Sequence, residues 1–140
     1  MTFWQLTIDA HDPALLARFW APALGYQATP PSEPDTTWNA HYHALPATAD
    51  DRIFDPAGRK PPIWFQRVPE SKAGKNRLHL DLYPTERDDT LPIDRRIAIV
   101  EATVAELVER GATVAHRMHP DDTDYWVVMH DPEGNEFCVS

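Results

Sequence analysis

Arg77, His79 and Asp81 stand at alternate positions in the stretch from Asn76 to Leu82. In a strand these three share one face, while Leu78, Leu80 and Leu82 share the other. An imidazole and a carboxylate two residues apart on a strand lie roughly 6.5–7 Å apart, within reach of one small ligand as an acid–base pair. Arg77 adds a guanidinium suited to clamping a carboxylate or phosphate. The same trio can equally satisfy itself as an internal polar network, and the spacing leaves both readings open. Cys138 offers either a thiol that His79 could activate, if both face one hollow, or a small residue filling a strand. His41 and His43 share a strand face, but two imidazoles without a third donor make half a metal site. Gly-x-Ser-x-Gly, Cys-x-x-Cys, His-Glu-x-x-His and glycine-rich phosphate loops are absent from the sequence.

The elements that must position these residues are legible from periodicity. Residues 3–10 alternate, with Phe3, Gln5, Thr7 and Asp9 opposed to Trp4, Leu6, Ile8 and Ala10, and predict a half-buried strand. Asp12-Pro13 is an N-cap followed by proline at the first helical position. Leu15, Leu16, Phe19 and Trp20 then recur at helical spacing, and Pro22 and Gly25 close the helix. That aromatic pair reads as packing, and its face permits a partner copy without requiring one. A proline-rich loop precedes a strand over 37–45, with Trp38, Ala40 and Tyr42 opposed to Asn39, His41 and His43. Short strands follow over 52–54 and 63–68, separated by the turn Asp55-Pro56-Ala57-Gly58. After the strand over 76–82, a helix runs to Arg110, capped by Asp94 and stopped by Gly111, with Ile97, Val100, Val104 and Leu107 on its inner stripe, although the portion from Ile97 to Val100 could instead be a stub of strand. Strands over 113–117, 124–129 and 136–139 complete the chain, the last preceded by Asp131-Pro132-Glu133-Gly134.

Each half thus reads strand, helix, three strands, with an Asp-Pro-x-Gly turn before the final strand. A shared tetrapeptide is weak evidence of duplication by itself; the same tetrapeptide at the same place in two matching strings of elements is stronger. The expected organisation is one domain over 1–140, with a first module over 1–70, a connector over 69–75 and a second module over 76–140.

The chain has 140 residues, 42% of them hydrophobic, and five tryptophans, enough for a core without disulfide or metal staples. Thirteen basic against 22 acidic side chains leave a net charge of −9, which opposes nucleic acid and anionic membrane surfaces as partners. The single cysteine excludes an internal disulfide and fits a reducing compartment. The N-terminal stretch has neither the basic region nor the apolar run of a signal peptide or membrane span, so a cytoplasmic protein is expected.

The repeated plan resembles the glyoxalase-like branch of the vicinal oxygen chelate superfamily, which also holds the bleomycin-resistance proteins. The resemblance is carried by Phe19-Trp20 with Leu24-Gly25, the run from Trp64 to Glu70, the run from Lys75 to Asp81, Gly111-Ala112, and the run from Asp131 to Cys138. It implies an α+β fold of paired βαβββ modules whose curled mixed sheets enclose a cavity, commonly in a homodimer. In metal-using members, four positions on the first and last strands of the modules face a divalent cation. By placement these are Gln5, Gln66, His79 and Cys138. Glutamine is a neutral, weak donor and no base at neutral pH, and the set lacks the usual glutamate. No cofactor is therefore expected, with zinc or nickel on His79 and Cys138 as the alternative. Two functions follow. One is a small-molecule-binding protein of bleomycin-resistance type, with Phe3, Trp64, Arg77, Tyr125 and Trp126 as binding residues. The other is a lyase or isomerase using a metal on His79, or His79 and Asp81 as acid and base.

Overall fold

The computed structural model describes residues 2, 4–31 and 50–140. Phe3 and the strand expected over 37–45, with His41 and His43, lie outside them. The chain divides into two compact units, Met1–Ser71 and Lys72–Ser140.

In the first unit, β1 (Leu6–Ala10) leads into α1 (Pro13–Leu24), and β2 (Arg52–Ile53) and β3 (Ile63–Arg67) follow. The Asp12 carboxylate accepts a hydrogen bond from the Leu15 amide at 3.1 Å, and Pro13 opens the helix. Pro22 is accommodated inside the last turn, and Gly25 ends the helix at φ 66°, where a side chain would be strained. Phe19 and Trp20 pack edge to face at 5.1 Å and are 2% and 3% exposed. They are core of the first unit, so the apolar surface expected there for a partner copy is already covered. The sheet runs β1-β3-β2, with β1 parallel to β3 and β2 antiparallel to it. Phe54 leaves the ladder and bridges to Gln27 through two 2.8 Å bonds.

The second unit comprises β4 (Asp81–Leu82), α2 (Ile93–Glu109), β5 (Thr113–Met118), β6 (Trp126–His130) and β7 (Glu136–Val139), in the sheet order β4-β7-β6-β5. Again the first strand pairs parallel with the last, and the last antiparallel with the one before it. Val127, Met129, Phe137 and Val139 are fully buried on one face, and α2 contributes Val100, Val104 and Leu107 to the same core. The fold is α+β, two mixed sheets with two helices, and neither sheet closes into a barrel among the described residues.

Strand ends shift by one to three residues from expectation, and two boundaries near the second helix and β4 differ in ways that bear on the site. The strand expected over 76–82 is regular only at β4, because the chain bends at Arg77–Leu78 and leaves Leu78 80% exposed. Side chains hold the approach instead of a ladder. Glu136 accepts from the Asn76 amide at 3.1 Å and meets the Lys72 ammonium at 3.3 Å, while Lys72 also donates to the Gly74 carbonyl. Backbone pairing resumes where the Leu80 carbonyl accepts from Cys138. The second helix starts two residues early, at Ile93. Pro92 is its N-cap without a side-chain bond, and Asp94 sits in the first turn, where its charge suits the helix dipole. The stretch from Ile97 to Val100 is helical.

Both Asp-Pro-x-Gly turns are present and built alike. Gly58 donates to the Asp55 carbonyl and Gly134 to the Asp131 carbonyl, each at 2.9 Å. The two aspartates are buried, with carboxylates that accept from backbone amides further along the turn. Glycine is required at the fourth position by φ values of 64° and 89°.

Candidate functional site

Register decides which side chains meet in the second unit. Asp81 pairs with Cys138, and Val128 pairs with Cys138 from the other side. Because Phe137 and Val139 point into the core, Cys138 projects from the opposite face, and Trp126, two residues before Val128, shares it. His79 precedes the ladder but is brought back to it. Its Nε2 lies 3.3 Å from an Asp81 carboxylate oxygen, with both side chains close to half exposed. One donor atom each from His79, Asp81 and Cys138 lies within 4.8 Å of the others. Burial and the neighbouring Asp81 carboxylate push the Cys138 thiol above its ordinary pKa, which keeps it protonated and a poor nucleophile at neutral pH.

This cluster forms part of the wall of a cavity of about 530 Å³ within the second unit. The wall continues through Tyr83, Thr85, Arg87, Asp88 and Asp89, then Ile93, Arg96 and Val100 on α2, and Asp124, Tyr125 and Trp126 before and on β6. The Tyr125 phenol donates to the Glu101 carboxylate, which also takes two 3.0 Å bonds from Arg117. Burial and this carboxylate raise the Tyr125 pKa, while the Arg117 guanidinium lowers that of Glu101. Tyr125 therefore presents its ring to the cavity with its hydroxyl already committed. Glu86 and Arg87 adopt left-handed conformations at φ 55° and 60°, costly for residues with side chains and concentrated where a site over-determines them. The Arg87 guanidinium lies 4.8 Å from the Tyr83 ring centroid.

Arg77 is exposed and does not line this cavity. In the first unit, the Trp64 indole donates to Asp51 at 2.9 Å and lies beneath the Arg52 guanidinium at 5.2 Å. Gln66 pairs with Asp9, whereas Gln5 precedes β1, so the two glutamines sit four register steps apart, roughly 13 Å along the strand. The run Leu6-Thr7-Ile8-Asp9 parallels Leu78-His79-Leu80-Asp81, and Asp9 faces Gln66 as Asp81 faces Cys138. On that register the position matching His79 is Thr7, with Gln5 two residues earlier on the same face.

A family model described as a glyoxalase-like domain matches residues 5–140. The chain belongs to the glyoxalase-like domain family. Solved structures carry the same fold. A glyoxalase/bleomycin resistance protein/dioxygenase family enzyme from Burkholderia phytofirmans is 17% identical, with a TM-score of 0.60 over 96% of this chain and 94% of that one. A superfamily member from Sphaerobacter thermophilus is 16% identical, with a TM-score of 0.54 over 99% and 95%. A mutant of the fosfomycin resistance protein FosX from Listeria monocytogenes, complexed with Mn(II) and 1S,2S-dihydroxypropylphosphonic acid, is 9% identical, with a TM-score of 0.58 over 99% and 87%. At such identities the likeness is one of fold, and chemistry must be argued from this domain's own residues. A search among curated proteins finds no match. Among the described residues, no helix is long and apolar enough to cross a membrane.

Spacing, residue type and the family resemblance pointed to His79, Asp81, Tyr125, Trp126 and Cys138, which line the cavity, but passed over Tyr83, Arg87, Arg96 and Glu101. Three of these lie in a loop and the helix start beyond it, where no alternation marks a face. Glu101 is distinguished only by contacts with residues 16 and 24 positions away.

Proposed function

We propose that this domain binds a small organic molecule in the cavity of its second unit. The supporting observation is the lining. Tyr83, Tyr125 and Trp126 offer aromatic surface beside the polar groups of His79 and Asp81, around a volume within the usual range for ligand pockets. Tyr125, tied to Glu101, is a fixed wall and loses little freedom when a ligand stacks on it. Trp64, pinned between Asp51 and Arg52, is a further contact candidate in the first unit. A thermal-shift screen of small molecules tests this reading. At a hundredfold excess over Kd a ligand stabilises by about 2.7 kcal/mol, or about 5–11 °C for a chain of this size. The shifts should vanish in Trp126→Leu and Tyr83→Leu. Hits unaffected by both would place binding elsewhere.

The trio of His79, Asp81 and Cys138 favours a second reading, a lyase or isomerase with a transition-metal ion. Imidazole, carboxylate and sulfur suit zinc, and three protein donors leave a coordination position open. They do not suit a hard cation such as manganese, which calls for oxygen ligands. A bound ion would supply Lewis acidity. Asp81 would hold it from β4 and His79 from the approach to that strand, and Cys138 would do so once its thiol ionised. Elemental analysis of protein purified without a chelating column decides between the readings. A stoichiometric ion lost in His79→Ala would establish the metal reading. The single cysteine supports a reducing, cytoplasmic location, and sedimentation analysis would report whether the domain is the homodimer that the resemblance implies.

A further inference from the structure

The cavity carries charges of both signs that do not neutralise one another. Arg87 and Arg96 line it, as do Asp89 and Asp124, yet among the described residues no ion pair joins any of these four to an opposite charge. Arg87, Asp89 and Asp124 are exposed and Arg96 is half-buried, and the two guanidinium groups are engaged by groups other than carboxylates. Arg87 lies over the Tyr83 ring on a turn with left-handed backbone. Arg96 donates from Nη2 to the Thr123 carbonyl at 2.9 Å, and its buried Nε has no hydrogen-bond partner among the described residues. Asp88, between Arg87 and Asp89, spends its carboxylate on the Thr90 amide and hydroxyl at 3.0 and 2.6 Å. Asp81 is engaged by His79.

A partly desolvated guanidinium without a counter-charge is an unfavourable arrangement unless something supplies the anion. Arg96 meets that description. A purely anionic guest, however, would enter a chain of net charge −9 and face Asp89 and Asp124. A purely cationic guest would meet Arg87 and Arg96. One guest satisfies both pairs. We infer that the cavity selects zwitterionic ligands, with an acidic group directed to Arg96 and Arg87 and a protonated nitrogen directed to Asp124 and Asp89. The aromatic walls then contact the body between the two charges, and Trp126 adds attraction for the cationic end. This deepens the small-molecule reading above and rests on it.

Matched triplets separate the charges from the scaffold. Tryptophan, phenylalanine and 4-aminobutyrate are each titrated calorimetrically as the free zwitterion, as the amide (cation only) and as the N-acetyl derivative (anion only). At least one scaffold should bind as zwitterion tenfold or more tightly than as either singly charged form. Arg96→Gln should bring that zwitterion's affinity down to the level of its amide without weakening binding of the amide itself. Asp124→Asn should bring it down to the N-acetyl level in the same way. Near-ultraviolet circular dichroism of both variants should match wild type, and Arg87→Gln and Asp89→Asn repeat the test if either variant is misfolded. Amides or N-acetyl forms that bind as well as zwitterions, with Trp126→Leu abolishing binding, would overturn the zwitterion inference and leave the cavity as the ligand site. No binding by any form, together with a blank thermal-shift screen, would overturn both.

Discussion

Asp131 is the residue whose removal should be most instructive for the duplicated architecture. Its carboxylate accepts from the Glu133 and Asn135 amides, both at 2.9 Å, and from the Asn135 side chain at 3.1 and 2.9 Å, while its own residue is 3% exposed. Asp131→Ala leaves three donors without their acceptor. Each charge-assisted bond contributes about 1.5–3 kcal/mol when water is excluded, but Glu133 and Asn135 are only half buried, so about 1 kcal/mol per donor is appropriate. The expected loss is about 3 kcal/mol, or roughly 6–12 °C in Tm. Asp131→Asn retains one oxygen for the two backbone donors but turns an amide towards that of Asn135, and should cost about 1–2 kcal/mol. Asp55→Ala, removing an acceptor for Arg59 at 2.8 Å and Lys60 at 3.0 Å, should cost about 2 kcal/mol for the same reason. Urea titration measures the losses, with the midpoint falling and the slope unchanged. Hydrogen exchange should show the Glu133 and Asn135 amides losing protection in Asp131→Ala. A loss under 1 kcal/mol for Asp131→Ala, or an asparagine variant as unstable as the alanine one, would refute the account of these turns as carboxylate-anchored.

Two further outcomes follow from single networks. Glu136 has its pKa lowered to about 2 by its own backbone amide, by that of Asn76 and by the Lys72 ammonium. The folded value lies below the ordinary one, so this stabilisation is complete above about pH 4.5 and is lost as pH falls towards 2. Solvent screening limits it to about 1 kcal/mol, and urea midpoints in Glu136→Gln should lose that part of the acid dependence. In Glu101→Ala the Tyr125 phenol should titrate at lower pH than in wild type, though still above an ordinary tyrosine because burial is the larger cause. Ring-carbon chemical shifts followed against pH would report it, and an unchanged midpoint would show that Glu101 does not hold the phenol.

Much of this protein was readable from local pattern. Alternation marked β1; the cap at Asp12, with Pro13 behind it and Gly25 beyond, marked α1; and two copies of one turn signalled the repeat before any contact was known. These features depend on neighbours along the chain, so their physics is written in residues close together. The stretch before β4 escaped because its geometry is imposed by Glu136, sixty positions from Asn76. No periodicity within 76–82 can announce a bend held by a distant carboxylate. The site divides the same way. His79 and Asp81 could be placed on one face from spacing alone, but that Cys138 joins them depends on parallel pairing between β4 and β7. Arg87, Arg96 and Asp124 meet at one cavity only because a loop, a helix start and a strand approach converge there. Convergence of distant segments is a property of tertiary packing, and side-chain types in sequence order carry no record of which charges will end up facing each other unpaired.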